Sequence, residues 1–240
     1  MLFTKEKIVK VQYGIYTDLE APKAIYPNIE SLNNHKDLKC PAVNSVSNKV
    51  YGAKSYLEAE IEVHYDKAIK DLRFRYNFND DFHPASNSVH QLIKDIIILN
   101  TDNGKHTIQL LSPYVFLTND KDLEICSMQP NLEVKNLEYV IGGFKPYGWA
   151  RPLNVSYALI DNNKTASIKL DLSKFMMKYI FNKPVNLEYV SFNSEQLEFI
   201  NSCKGAIKYR KNINKLYKTH STRRKKDILQ WKKILKFIKT

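Results

Sequence analysis

Glycine is in short supply: 7 of 240 residues. The chain holds no glycine-rich loop to cradle a phosphate, no G-x-S-x-G nucleophile turn and no H-E-x-x-H zinc helix. Cysteine is scarcer still. Cys40, Cys126 and Cys203 are odd in number and far apart. That excludes a disulfide framework and a zinc spacing, and predicts reduced, buried thiols in a cytoplasm-like compartment. No apolar run approaches the ~20 residues that cross a bilayer, so a membrane is not an expected partner. The opening MLFTKEKIVK carries charge too early for a secretory signal.

What is present is apolar bulk and rings. The hydrophobic fraction is 43%, with 15 tyrosines and 11 phenylalanines, which is enough for a core and favours sheets. The formal charge is +12, and its placement matters more than its size. Residues 204–240 carry 14 Lys/Arg against one acid, Asp227, whereas residues 1–203 hold 23 basic and 24 acidic side chains. A near-neutral body thus carries a strongly basic tail, an asymmetry that points to a polyanion or an acidic surface.

Alternation locates the strands. In LEAEIEVHYD (57–66), Leu57, Ala59, Ile61, Val63 and Tyr65 alternate with Glu58, Glu60, Glu62, His64 and Asp66, and in KDLRFRYNFN (70–79), Leu72, Phe74, Tyr76 and Phe78 form the apolar set. An antiparallel hairpin whose paired positions sum to 137 puts both apolar sets on one face and Arg75 opposite Glu62. Val89, Leu92, Ile93, Ile96 and Ile97 fit a helix, but the isoleucine run and the NTDNGK turn behind it favour a strand at 92–99 with its return in HTIQLLSPYVFL. Further strands are expected at 137–141, 153–160, 166–172 and 185–192, the last starting behind Pro184. From Asn193 the pattern becomes helical, with Ser194 as N-cap and Leu197, Ile200 and Ile207 on one face. Ile228, Trp231, Leu235 and Ile238 form a second helical stripe with lysines opposite. The reading is a mostly-β sandwich or irregular barrel of roughly eight to ten strands over residues 1–192, and a basic helical C-terminal extension over 193–240.

Several clusters invite chemistry and are better explained without it. His64 and Asp66 have the spacing of two ligands of an iron facial triad, with His106 or His220 as a third, but they also fall on the solvent face of the hairpin. Glu58, Glu60 and Glu62 have cross-strand arginines for partners. Asp80, Asp81, His83 and His90 surround Pro84 in what reads as ordinary loop chemistry. No metal, no cofactor and no catalytic residue is expected. The strongest signal is the tail. Lys208, Arg210, Lys211, Lys215, Lys218, Arg223, Arg224, Lys225 and Lys226 are interleaved with Tyr209, Tyr217 and His220, so cations for phosphates sit beside rings for stacking. An acidic protein surface, a membrane surface under the 227–240 stripe, or plain solvent would also suit the charge.

One stretch concentrates what the chain otherwise rations. GGFKPYGWARP (142–152) holds three of the seven glycines, two prolines and one of the two tryptophans. We expect a structural corner. Gly142 and Gly143 would allow positive φ, the prolines would set the exit path, and Arg151 would stack on Trp149 or pair with a carboxylate. The alternative is the lip of a pocket in which Tyr147, Trp149 and Arg151 hold a nucleotide-like ligand, as a small-molecule enzyme would need.

Four blocks in order, LKCPAV (38–43), IQLLSPYVFLTND (108–120), GGFKPYGWARPLNVSY (142–157) and KPVNLEYVSF (183–192), resemble an uncharacterised family of conserved proteins from tailed phages of marine bacteria. The chain departs from that pattern where Asn182-Lys183-Pro184 stands in place of a Gly-x-Pro turn. The last two blocks are also similar to the barrel of dUTPase-like enzymes, but without that family's Gly-x-x-I-x-Q segment or its aspartate–tyrosine pair, so the likeness concerns fold alone. The phage resemblance assigns no activity. It implies a viral protein in the cytoplasm of an infected cell or in the virion, either a non-enzymatic protein whose tail engages nucleic acid or an acidic assembly partner, or a virion structural component with homo-oligomeric or virion neighbours.

Overall fold

The hairpin legible in the sequence is present residue for residue. In a computed structural model, which describes residues 8–16, 26–32, 46, 48–78, 87–102 and 104–204, Ala59 pairs with Phe78, Ile61 with Tyr76, Val63 with Phe74 and Asp66 with Asp71. Every pair sums to 137. Ala59, Ile61 and Val63 are buried, while Glu60 and His64 face solvent. Arg75 pairs with Glu62, and Arg73 reaches Asp66 at 3.1 Å. Both arginines are mostly exposed, so each pair adds at most about 1 kcal/mol.

Sixteen strand segments are described, more than expected because long ribbons are interrupted. They are β1 (Val9–Ile15), β2 (Glu30–Ser31), β3 (Val50–Lys54), β4 (Ala59–Asp66), β5 (Asp71–Phe78), β6 (Ile97–Asp102), β7 (Lys105–Leu110) and β8 (Tyr114–Thr118). There follow β9 (Ile125–Ser127), β10 (Glu133–Lys135), β11 (Leu137–Val140), β12 (Gly143–Phe144), β13 (Val155–Leu159), β14 (Ala166–Leu170), β15 (Phe175–Phe181) and β16 (Val185–Tyr189). Among the described residues two helices accompany them, α1 (Asn87–Ile96) and α2 (Ser194–Lys204). The fold is mostly β and sandwich-like. Its sheets run β16-β1-β8, β10-β14-β4-β5, β11-β13-β7-β6 and β12-β9-β15-β3-β2. The second and third meet at Asn136, a left-handed residue (φ 54) between β10 and β11. Its side-chain amide donates to the carbonyls of Asp161 and Lys164 and accepts from Asp161 N–H, holding the loop between β13 and β14.

Three expectations need correction. The strand at 92–99 begins only at Ile97, and α1 occupies the residues before it. Leu92, Ile93 and Ile96 bury one helical stripe, and pairing starts at Ile97 with Leu110. HTIQLLSPYVFL is not one return strand. It divides around Pro113, which cannot donate to a ladder, and β7 and β8 go to different sheets. Asn193, not Ser194, caps α2: its side chain accepts from Gln196 N–H at 2.9 Å while Gln196 accepts from Asn193 N–H at 3.0 Å, a reciprocal capping box.

The main core takes side chains from all four sheets and from α1, and much of it is tyrosine. Each ring brings a hydroxyl that needs a partner. Tyr114 donates to Pro27 O at 2.6 Å, Tyr13 accepts from Ile29 N–H at 3.2 Å, Tyr51 donates to Val185 O at 2.7 Å, and Tyr179 meets Ser112 Oγ at 2.9 Å. The segment 26–32 is thus pinned by hydroxyls from β1 and β8.

The sheet β16-β1-β8 is covered on both faces. Tyr114 and Phe116 of β8 enter the main core, and Val115 and Leu117 enter a second cluster with Tyr16, Phe192 and the Phe199, Ile200 and Cys203 of α2. Gly14 makes room for this. A Cβ there would lie 2.6 Å from Val190 O and 2.6 Å from the Phe192 ring. The ring can move but the backbone carbonyl cannot easily follow, because Val190 N–H is bonded to Tyr13 O at 2.8 Å. Gly14→Ala is therefore expected to cost about 1–3 kcal/mol, read as a lower denaturant midpoint. An unchanged midpoint would mean that Val190 and Phe192 do not sit tightly on this strand.

Candidate functional site

The glycine-rich stretch forms the corner between the two clusters. After β11 the chain returns through β12, where Gly143 pairs with Cys126 and Phe144 with Ile125. Gly142 and Gly143 do not adopt the positive φ expected of them. Among the described glycines that conformation belongs to Gly104 (φ 74) and Gly148 (φ 69). Gly143 instead permits close approach: a Cβ would fall 2.7 Å from Cys126 Sγ and 3.0 Å from Ile125 O. Gly148 is the third residue of a tight turn closed by Trp149 N–H to Pro146 O at 3.2 Å. Ser127 secures the start of the corner, accepting from Gly142 N–H and from the Tyr139 hydroxyl while its own N–H donates to Gly142 O. Pro152 secures the end, bridging to Val115 of β8.

The rings then stack in order. Phe144 is buried and meets Trp149 edge to face, centroids 6.1 Å apart at 78°. The Arg151 guanidinium lies over Trp149, 4.4 Å from its centroid and 5.3 Å from that of Phe144, the first of the two arrangements the sequence left open. Trp149 packs against both clusters, and Tyr147 packs against the second, beside α2. Tyr16 bonds the Asn201 side chain, a further tie between α2 and the end of β1. The corner is thus the seat on which the last described helix rests.

No protein-family model, curated protein or solved structure matches the chain. The functional reading therefore rests on the residues themselves.

Lysines that sequence patterning did not single out surround the corner. Lys121 Nζ lies 6.0 Å from the Tyr147 centroid, and Lys145 pairs with Glu124 at 3.2 Å across side chains 56% and 49% exposed. Lys183 holds Asp120 at 2.9 Å. Partial burial raises the Asp120 pKa, but the Lys183 ammonium and the N–H groups of Asp122 and Leu123 outweigh it, and the carboxyl stays below its ordinary range. Nothing in TNDKDLE signals these partners, because Asp120 and Lys183 are 63 residues apart.

The other candidates separate. His64 is exposed and Asp66 is paired with Arg73, whereas His106 is buried and stacks on Tyr65 at 4.3 Å, a side chain on the opposite face of β4. The three do not converge. Among the described residues no group of three His, Cys, Asp or Glu side chains could hold a metal. Asp80, Asp81, His83, His220, Cys40 and the nine tail cations Lys208 to Lys226 lie outside the described residues. Cys126 is half-buried, and burial together with Glu124 raises its pKa, which favours the thiol over the thiolate.

Proposed function

We propose that this chain is a non-enzymatic, phage-type protein whose β body carries a basic tail onto nucleic acid. The charge asymmetry carries the reading: one acid against 14 Lys/Arg beyond residue 203, on a body that is close to neutral. The packing supports it, because α2 is seated on the corner through Phe199, Ile200 and Cys203 and so fixes where the tail starts. The outer face of β4 and β5 is a poor rival surface, since Glu62 and Asp66 already pair with Arg75 and Arg73.

The segment 208–226 has nine Lys/Arg and no acid. With about half of them on phosphates, duplex affinity should fall with log salt at a slope of about −4, from ~0.9 per neutralised phosphate. Replacing Arg223, Arg224, Lys225 and Lys226 by glutamine should flatten that slope by about two units or more. A chain ending at Lys204 should lose the binding and keep the melting temperature of the full chain. Full-length protein without affinity for DNA or RNA at about 50 mM salt overturns the reading and leaves an acidic protein as the partner of the tail. Loss of cooperative unfolding in the shortened chain would instead show that the tail completes the core.

A further inference from the structure

The two four-stranded sheets treat charge in opposite ways, and we infer that the outer face of β11-β13-β7-β6 is a two-fold contact with a second copy of this chain. The inference stands apart from the tail reading. On the outer face of β10-β14-β4-β5 acids and bases serve each other: Glu62 pairs with Arg75, Asp66 with Arg73, and Glu133 lies 4.0 Å from Lys169. In the other sheet the core takes Tyr157, Ile108 and Leu110, so Ser156, Ala158, Thr107 and Gln109 face outward. Along β11, β13 and β7 the charged side chains on this face are Glu138 and Lys105. Both are exposed, and among the described residues neither has an ion-pair partner.

The face complements itself. Glu138 pairs with Ala158 in the ladder and Ala158 with Thr107, so Lys105 lies two strands and two residues from Glu138, about 12 Å away between Cα atoms. Between them the small side chain of Ala158 leaves a depression of about 480 Å³, walled by the segment 160–163. The Asn136 amide holds that segment at Asp161 and Lys164, so the wall is set before any partner arrives. Ile160 stands at the rim, a large apolar side chain 66% exposed. A two-fold axis in the plane of the contact, crossing β13 between Ala158 and Ile160, places Lys105 of each copy over Glu138 of the other and brings the two Ile160 side chains together. Such a contact spans about 300 Å² of sheet per copy, well short of the ~800 Å² per partner of a standard interface. The dimer is therefore weak and depends on concentration.

The test is sedimentation velocity on the full chain, freed of nucleic acid, over a range of concentrations. The native chain should pass from monomer to dimer as concentration rises. Lys105→Glu or Glu138→Lys alone sets like charges against each other twice in the symmetric contact and should weaken dimerisation by about 10-fold or more. An equimolar mixture of these two variants restores both pairs between unlike chains and should form a heterodimer as strong as the native dimer. Ile160→Ala should also weaken dimerisation, and should leave the melting temperature unchanged because the side chain it shortens is exposed. A native chain that stays monomeric, variants that dimerise as the native chain does, or a mixture that gains nothing over its components would each overturn the two-fold contact. None of these outcomes bears on nucleic-acid binding by the tail.

Discussion

The body should unfold in alkali, near about pH 11, just above the range where free phenols titrate. Tyr56, Tyr114, Tyr157 and Tyr179 are all driven to raised pKa values, chiefly by burial. Neighbouring tyrosines add to this for Tyr56, Tyr114 and Tyr157, while the Ser112 hydroxyl opposes it at Tyr179. Unfolding returns each phenol to its ordinary value near 10. A folded pKa above the unfolded one leaves stability intact below about pH 10 and removes it as pH rises from there. Each of the four then costs ~1.4 kcal/mol at about pH 11, or roughly 5–6 kcal/mol together, comparable with the whole stability of a typical domain. Exposed rings such as Tyr189 titrate gradually, and the remaining tyrosinate absorbance should appear in the same cooperative step as loss of circular dichroism. A tyrosinate rise that reaches completion in a chain that stays folded would show that the four buried rings are open to water.

Trp149→Ala should cost about 3 kcal/mol, the lower end for removing a buried tryptophan because this one is only half-buried. The loss has three parts: the edge-to-face contact with Phe144, the support of Arg151, and the packing that joins the main core to the cluster under α2. For a chain of this size that lowers the melting temperature by about 6–12 °C. Trp149→Phe, which keeps an aromatic face, should lose less than half as much. A Trp149→Ala protein that melts like the native chain would show that the ring is not a structural corner post. If it also failed to bind a ligand, the pocket reading would replace ours.

Where the sequence could be read, local pattern decided the outcome. β4 and β5 were legible because one face of the hairpin is wet, so polarity alternates and a single register satisfies both strands. β15, FMMKYIF, escaped notice because its alternation is blurred. It lies in the middle of the five-stranded sheet with Met177, Tyr179 and Phe181 buried and Lys178 and Ile180 half-buried, but a bulge at Met176 breaks the period and Ile180 on the other face blurs the polarity. β1 does alternate, Val9, Val11, Tyr13 and Ile15 against Lys10, Gln12 and Gly14, but its parallel pairing with β16 joins residues more than 170 apart, beyond the reach of any periodicity. In the corner, composition left Arg151 a choice between Trp149 and a carboxylate, and neither that choice nor the roles of the glycines could be read locally. Gly143 answers to a neighbour in β9, and that neighbour is known only once the sheet is built.

The pairing of the first strand with the last has a consequence for synthesis. Until Val185–Tyr189 leave the ribosome, β1 lacks its β16 partner, and until Ser194–Lys204 follow, the second cluster lacks its cover. The body cannot mature domain-half by domain-half; it must wait for nearly all of its own chain, a long-range closure of the kind that makes folding slow. The cations Lys208 to Lys226 are made only after that point. At about 5–20 residues per second the segment 205–226 takes roughly 1–4 s more to make. In that interval the sheets can close, before the basic segment can draw an unfinished body onto a polyanion.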